Sequence, residues 1–302
     1  MGDAILEKFY YNGESLGTAE FDEKYKALTP SVYEVIRVME GRPLFLSEHY
    51  ARLLNSAKTV GGRVPFSQED FFASIEKLCA ENGVKNHNVK LVMNGVAGGE
   101  FANIYLFMIK TSYPTEEMYA AGVRTDLFNA VRNNPNAKII DADLRQRENE
   151  FMAEKNIFEA ILVNGSGEAT EGSRSNIFFI CGGEVYTAPG KDVLLGVTRQ
   201  RVIRICEEHG LRVHETPIGA RVAKAGAPQQ AESLKADSAG GSGAPIATGA
   251  CIADFEAAFI SGTSPKVLPI ACIGDQKLDV QNPTLRSIMQ FYDEEITKDL
   301  SL

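Results

Sequence analysis

Two apolar runs, Ile161–Val163 and Ile177–Ile180, bracket the segment Thr170-Glu171-Gly172-Ser173-Arg174-Ser175-Asn176, and this limits the possible folds more than any other stretch. Short apolar runs bounded by Gly, Ser and Asn read as buried strands. Their joint must turn the chain between two core elements while carrying an acid, a base, hydroxyls and an amide. Such a cluster is either a well-solvated turn or a site, and the stretch by itself leaves both open.

A chain of 302 residues has room for two medium cores. Its net charge of −9 argues against a nucleic-acid partner, because phosphate binding needs a basic face. No apolar run reaches the roughly 18 residues of a membrane helix, and Met1-Gly2-Asp3-Ala4 does not open a signal peptide. Leu6 stands where a myristoylation motif wants Ser or Thr. The 5 cysteines are scattered, form no C-x-x-C pair and sit mostly in apolar runs, which predicts reduced, buried thiols and a cytoplasmic protein. Neither they nor the 4 histidines show metal-ligand spacing, so no metal site and no membrane partner are expected.

Along the chain, Asn12-Gly13 after Phe9-Tyr10-Tyr11 signals a hairpin. A second hairpin is expected from Tyr33–Val38, a turn at Glu40-Gly41-Arg42-Pro43, and a return arm Leu44-Phe45-Leu46. Alternation puts Tyr33, Val35 and Arg37 on one face and Glu34, Ile36 and Val38 on the other. A helix is expected from Ser47 as N-cap to about Val60, with Arg52 beside its apolar stripe, where a surface residue is the ordinary reading. Ser67-Gln68-Glu69-Asp70 resembles a capping box, with Phe66 stapled onto Phe71 and Gly83 ending the helix. Strands Val89–Met93 and Ile104–Ile109 flank the Gly-rich turn Asn94–Gly99, a plain hairpin more than a phosphate loop. Thr111-Ser112-Tyr113-Pro114 breaks the pattern and divides the chain into domains 1–112 and 113–302.

The second domain reads as a strand Gly122–Phe128, a helix from Asp141 to Lys155, strands around the opening stretch and at Glu184–Thr187, and a helix after Gly196-Val197-Thr198. A Gly before a helix start leaves backbone N–H groups outward, which can receive a phosphate, although a plain cap is commoner. Residues 223–250 are rich in Ala, Gly, Ser, Gln and Pro and read as a low-complexity insertion. A strand at Asp254–Ile260, the motif Ser261-Gly262-Thr263-Ser264 and a helix from Pro283 to Lys298 complete the chain.

Together these segments resemble the class IV, or fold type IV, pyridoxal-phosphate-dependent aminotransferases, which include branched-chain and D-amino acid aminotransferases and aminodeoxychorismate lyase. The matches are Tyr33-Glu34-Val35 with Glu48-His49-Tyr50-Ala51-Arg52-Leu53; Lys138; Glu159-Ala160-Ile161-Leu162 with Thr170–Asn176; Leu195-Gly196-Val197-Thr198-Arg199; and Ser261-Gly262-Thr263-Ser264 before Pro269. They occur in family order over nearly the whole chain.

The resemblance implies a two-domain α/β fold, the cofactor lysine in the second domain, pyridoxal 5'-phosphate at the domain interface, and a homodimer. It implies transfer of an amino group between a branched-chain-like or D-amino acid-like donor and a 2-oxo acid. The cofactor needs a lysine for its aldimine and proton shuttling, and the family places one where Lys138 stands. Glu171 would pair with the ring nitrogen. Arg52, Val197, Thr198 and Thr263 would hold the phosphate, and helix-end contributions of about 0.3–1 kcal/mol leave Arg52 dominant. Three departures stand out: no Tyr follows in Ile139-Ile140-Asp141-Ala142-Asp143, strands Val89–Met93 and Ile104–Ile109 lack the carboxylate-binding Arg or His of relatives, and Arg174 replaces a small residue. Tyr33, Arg37, Arg174 and Ser264 are therefore candidates for substrate binding, with Arg174 or Arg37 as carboxylate anchor. The alternatives are a pyruvate-eliminating lyase and a relative kept only to bind cofactor or protein.

Overall fold

Asn12 and Gly13 take φ of 48° and 86°, left-handed values that suit the twist of a two-residue hairpin, and join β1 (Ala4–Tyr11) to β2 (Glu14–Gly17). The computed structural model describes residues 4–132, 134–223 and 249–301. Residues 224–248, nearly all of the expected insertion, lie outside the described residues. Cα packing groups Met1–Tyr113, Asn136–Ile140 and Glu295–Leu302 into one unit and Pro114–Pro135 with Asp141–Glu294 into another. Both mix helices and sheet.

In the first unit, α1 (Phe21–Lys24) precedes β3 (Ser31–Met39), whose alternation follows the expected pattern. Val32, Glu34, Ile36 and Val38 are all 0% exposed, whereas Tyr33, Val35 and Arg37 are half-buried. The return arm is only β4 (Arg42–Pro43). Leu44-Phe45-Leu46 forms no strand, and Ser47 is not the cap of α2 (Leu46–Thr59): Phe45, at φ 54°, takes that place. The reason is burial. Leu44, Phe45 and Leu46 are all buried in succession, which an alternating strand cannot achieve, and the Phe45 N–H donates to Asp299 Oδ2 at 2.8 Å.

The helix α3 (Gln68–Glu81) carries the expected capping box between Ser67 and Asp70, and the Phe66 and Phe71 rings meet at 5.4 Å. β5 (His87–Ala97) and β6 (Glu100–Ile109) are longer than their apolar cores, and Gly98-Gly99 turns between them. The sheet order is β2-β1-β6-β5-β3-β4. One face packs on α2 and α3 through Val32, Ile36, Leu53, Ile75, Leu91 and Met108. The other carries an aromatic cluster of Phe9, Phe21, Tyr105 and Phe107 with Tyr33 at its edge.

Asn136–Ile140 packs with this first unit, which differs from the expectation that Lys138 belongs to the second domain. Its backbone explains why: Val32 and Ile139 form an antiparallel bridge, the Tyr33 N–H donates to Lys138 O at 3.0 Å, and the Ile140 N–H donates to Ser31 O at 2.9 Å.

The second unit contains α4 (Glu116–Ala121), β7 (Val123–Asn129), α5 (Ala142–Lys155), β8 (Glu159–Val163), β9 (Ala169–Gly172), β10 (Asn176–Cys181), β11 (Glu184–Thr187), α6 (Val197–Glu208), β12 (Val213–Glu215), β13 (Ala257–Gly262), β14 (Lys266–Ile273) and β15 (Gln276–Lys277). The chain ends in α7 (Pro283–Ser301). The strand expected from Asp254 begins later, because Asp254 Oδ2 accepts from the Cys251 N–H and closes a short turn there. The sheet runs β12-β11-β10-β13-β14-β7-β8-β9, with β15 on β14. An Asn176–Glu171 pairing then joins β9 back to β10. That pairing closes a strand circuit around Ile161, Ile177, Phe179, Ile260 and Leu268. The closure falls on the stretch that links the two apolar runs.

Candidate active site

Candidate residues of the first unit gather on and beside β3. Lys138 is fixed through its backbone: besides the bonds to β3, its N–H donates to Ser56 Oγ of α2 at 3.0 Å. Because Ile139 pairs with Val32 and joins the helical core, its neighbour Lys138 turns to the opposite face, beside Tyr33. The Lys138 Nζ stands 4.6 Å from the Tyr33 ring centroid.

Arg52 is not a surface residue. Its Nε and Nη2 donate to Glu34 Oε1 and Oε2 at 2.8 and 2.6 Å, and its side chain is 9% exposed. His49, one helical turn earlier, places Nδ1 2.8 Å from the same carboxylate. Burial pushes the Glu34 carboxyl up, but the Arg52 guanidinium and His49 outweigh it and hold it at about 2. Burial lowers the His49 pKa, Glu34 opposes this, and the cations Arg52 and Lys138 add to the lowering. The bidentate pair leaves Arg52 Nη1 outside it, so the guanidinium is oriented without being fully engaged. Sequence reasoning does not single out Glu34 and His49. A carboxylate alternating with Val32, Ile36 and Val38 on the core face is the available signal, since buried charges need partners.

In the second unit, Glu171, 3% exposed, lies where the strand circuit closes. Its Oε2 accepts from the Leu194 N–H at 3.2 Å, and its Oε1 pairs with Arg132 Nε at 3.3 Å. Arg132 Nη2 also donates to Ser173 O at 3.0 Å. Gly172 sits tightly: an added Cβ would stand 2.1 Å from Ser175 Oγ and 3.1 Å from Glu159 Cγ, so either neighbour would have to shift.

The start of α6 is next to this carboxylate. Asn176 Nδ2 donates to Leu194 O at 2.8 Å, and Gly196, the N-cap, offers no side-chain bond to the first turn. A Cβ on Gly196 would fall 2.2 Å from Asn176 Oδ1. Val197 and Thr198 are the first helical residues, so their N–H groups have no partner within the helix; the Thr198 hydroxyl accepts from Tyr292 OH at 3.3 Å. Ser261 pairs with Asn176 across the sheet, and its buried Oγ has no hydrogen-bond partner among the described residues. Thr263 and Ser264 form the β13–β14 turn beside it. Glu171, Val197, Thr198 and the Ser261–Ser264 turn therefore converge in one unit. Ser261 escapes a sequence reading as a site residue, because only the register reveals its orphaned hydroxyl.

The candidate substrate residues are divided between the units, Tyr33 and Arg37 in the first and Arg174 and Ser264 in the second. Arg174 is exposed and donates to Asn149 Oδ1, while its N–H donates to Glu159 Oε1 at 3.0 Å. Glu159 is buried, which raises its pKa, and Ser173 and Arg174 oppose that. Arg37 shares the Tyr33 face and stacks 4.2 Å from the Tyr113 ring centroid.

The family model for amino-transferase class IV matches residues 31–273. D-alanine aminotransferase of Bacillus licheniformis is 25% identical over 288 residues, covering 90% of each chain. The branched-chain amino acid aminotransferase of Escherichia coli superposes with a TM-score of 0.76 at 20% identity, covering 98% of this chain and 96% of that one. A T.th. branched-chain amino acid aminotransferase, solved with pyridoxamine 5'-phosphate, superposes with a TM-score of 0.74 at 22% identity, covering 98% and 96%.

Proposed function

Because this chain belongs to the amino-transferase class IV family, we propose that it exchanges an amino group between a small amino acid and a 2-oxo acid, with Lys138 as the lysine that carries pyridoxal 5'-phosphate. Class IV aminotransferases use this cofactor, and its electron sink supplies the stabilisation that a Cα carbanion needs.

The donor set fits the group. An orphaned Ser261 hydroxyl beside an uncapped helix start, with a Gly196 cradle that a Cβ would fill, suits a phosphate. Glu171, kept beside the Arg132 guanidinium, suits a protonated ring nitrogen. Arg52, aimed by Glu34, adds the charge that anchors a dianion. Lys138 Nζ would carry the proton from the substrate Cα to the carbon that takes over the amino group, while the Tyr33 ring restrains it. Thr263 completes the phosphate donors, and Ser264 is the substrate-side residue of the same turn.

The observation that carries this reading is the convergence of Glu171 with the open start of α6 and Ser261. A homodimeric, cytoplasmic enzyme belongs to the same proposal; the free thiols, with Cys79, Cys206 and Cys251 buried, support a reducing location. The test is direct: purified protein loaded with pyridoxal phosphate should form alanine from pyruvate and an amino donor. D-alanine, the substrate named for the Bacillus licheniformis relative, is the first donor to try in the reverse direction. Protein that neither binds the cofactor nor transfers an amino group would rule the reading out.

A further inference from the structure

The face of the first sheet beside Lys138 holds two cations. Facing residues in an antiparallel pair point to the same side, so the register Tyr33↔Val92, Val35↔Lys90 and Arg37↔Asn88 puts Lys90 and Arg37 on the Tyr33 face. Lys90 in turn faces Phe107 on β6. Its Nζ lies 5.7 Å from the Tyr33 ring centroid and 5.8 Å from that of Phe107.

Tyr33 therefore has the Lys90 ammonium from β5 and the Lys138 side-chain nitrogen against the same ring, the latter at 4.6 Å. The two nitrogens can be no further apart than those two ring distances together. Arg37 stands one same-face place beyond Val35, the register partner of Lys90, held against Tyr113, whose hydroxyl donates to Asn88 Oδ1 at 3.0 Å. Lys90 and Arg37 thus put two cations on the Lys138 face of a chain whose net charge is −9. An anion on this face is attracted to both cations, and the aromatic walls strengthen that attraction.

We propose that the Lys90 ammonium receives the carboxylate of the amino-acid and 2-oxo-acid substrates, with Arg37 as the second cation of the same face. This rests on Lys138 being the reacting lysine. It assigns carboxylate recognition to β5 and β3 of the first unit, and it makes Lys90 a specificity-determining residue: an amine without a carboxylate has no use for it.

The test compares cofactor-loaded wild type with Lys90→Met, which keeps the apolar stem, and Lys90→Arg, which keeps the charge. Calorimetric Kd for pyruvate and 2-oxoglutarate, KM and kcat for each, and the half-reaction rate with a carboxylate-free primary amine are measured. Lys90→Met should raise Kd and KM by about 10- to 100-fold, the range for losing a charge-assisted hydrogen bond. It should leave the amine half-reaction unchanged, and Lys90→Arg should restore most of the affinity. Unchanged Kd and KM in Lys90→Met overturns the proposal, as does an equal loss with acid and amine. If the wild type binds 2-oxo acids without turnover, the aminotransferase reading fails while the Kd comparison still decides Lys90. A wild type that binds no 2-oxo acid overturns both.

Discussion

Arg52 and Glu34 form a bidentate pair, at 2.8 and 2.6 Å, between a helix and a strand 18 residues apart in sequence. Such a pair orients a guanidinium, and once buried it cannot lose one partner cheaply. Removing one side of a buried pair typically costs about 3–5 kcal/mol. Arg52→Ala should therefore lower the Tm of cofactor-free protein as well as weaken cofactor binding. Glu34→Gln should keep Arg52 in place less firmly and raise the cofactor Kd without removing the anchoring charge. Full cofactor affinity in Arg52→Ala would remove Arg52 from the phosphate site.

The same pair sets an acid limit. Glu34 is held at about 2, below the 4.5 of an unperturbed carboxyl. A group whose folded pKa is depressed stabilises the fold above its unfolded value and loses that contribution as pH falls through the folded one. Stability from Glu34 should be constant across neutral pH and decline between about pH 4.5 and 2, by on the order of 3 kcal/mol. Urea unfolding at stepped pH should show this slope, and Glu34→Gln should lack it.

Ser261 separates ligand binding from folding. Its buried Oγ has no hydrogen-bond partner among the described residues, so Ser261→Ala removes a desolvated group at little cost to the cofactor-free fold. The Tm of that form should stay the same or rise, while affinity for pyridoxal phosphate and for inorganic phosphate falls several-fold. Gly196→Ala should weaken both ligands more, because its Cβ would collide with Asn176 Oδ1. Unaltered phosphate affinity in both variants would place the phosphate elsewhere.

Dependence on an acceptor distinguishes the transaminase from the pyruvate-eliminating lyase. With an amino donor present, sustained product formation should require added 2-oxo acid. Pyruvate released from aminodeoxychorismate without an acceptor would favour the lyase.

Local chemistry is legible in the sequence and tertiary chemistry is not. Asn12-Gly13 and Ser67–Asp70 form as read, because the residues that decide them lie within a few positions of one another. The convergence of Glu171 with Val197, Thr198 and the Ser261–Ser264 turn follows motif order along the chain. Phe45 departs from the expected strand because its left-handed backbone answers to burial and to Asp299, 254 residues away. Lys138 packs across the expected domain division because a short edge bridge to Val32 leaves no trace in composition. Arg52 reads as exposed because its partner lies on another element. Arg174, a candidate from the motif alone, is tied to Asn149, whereas Arg37 lies on the Lys138 face.

Lys138 is the proposed carrier of the cofactor, and one measurement tests this directly. Cofactor-loaded protein is reduced with borohydride, digested and mapped by mass spectrometry. A phosphopyridoxyl group on the peptide containing Lys138, present at near one per chain and absent in Lys138→Ala, is the expected result. Modification at another lysine, or none at all, would contradict it.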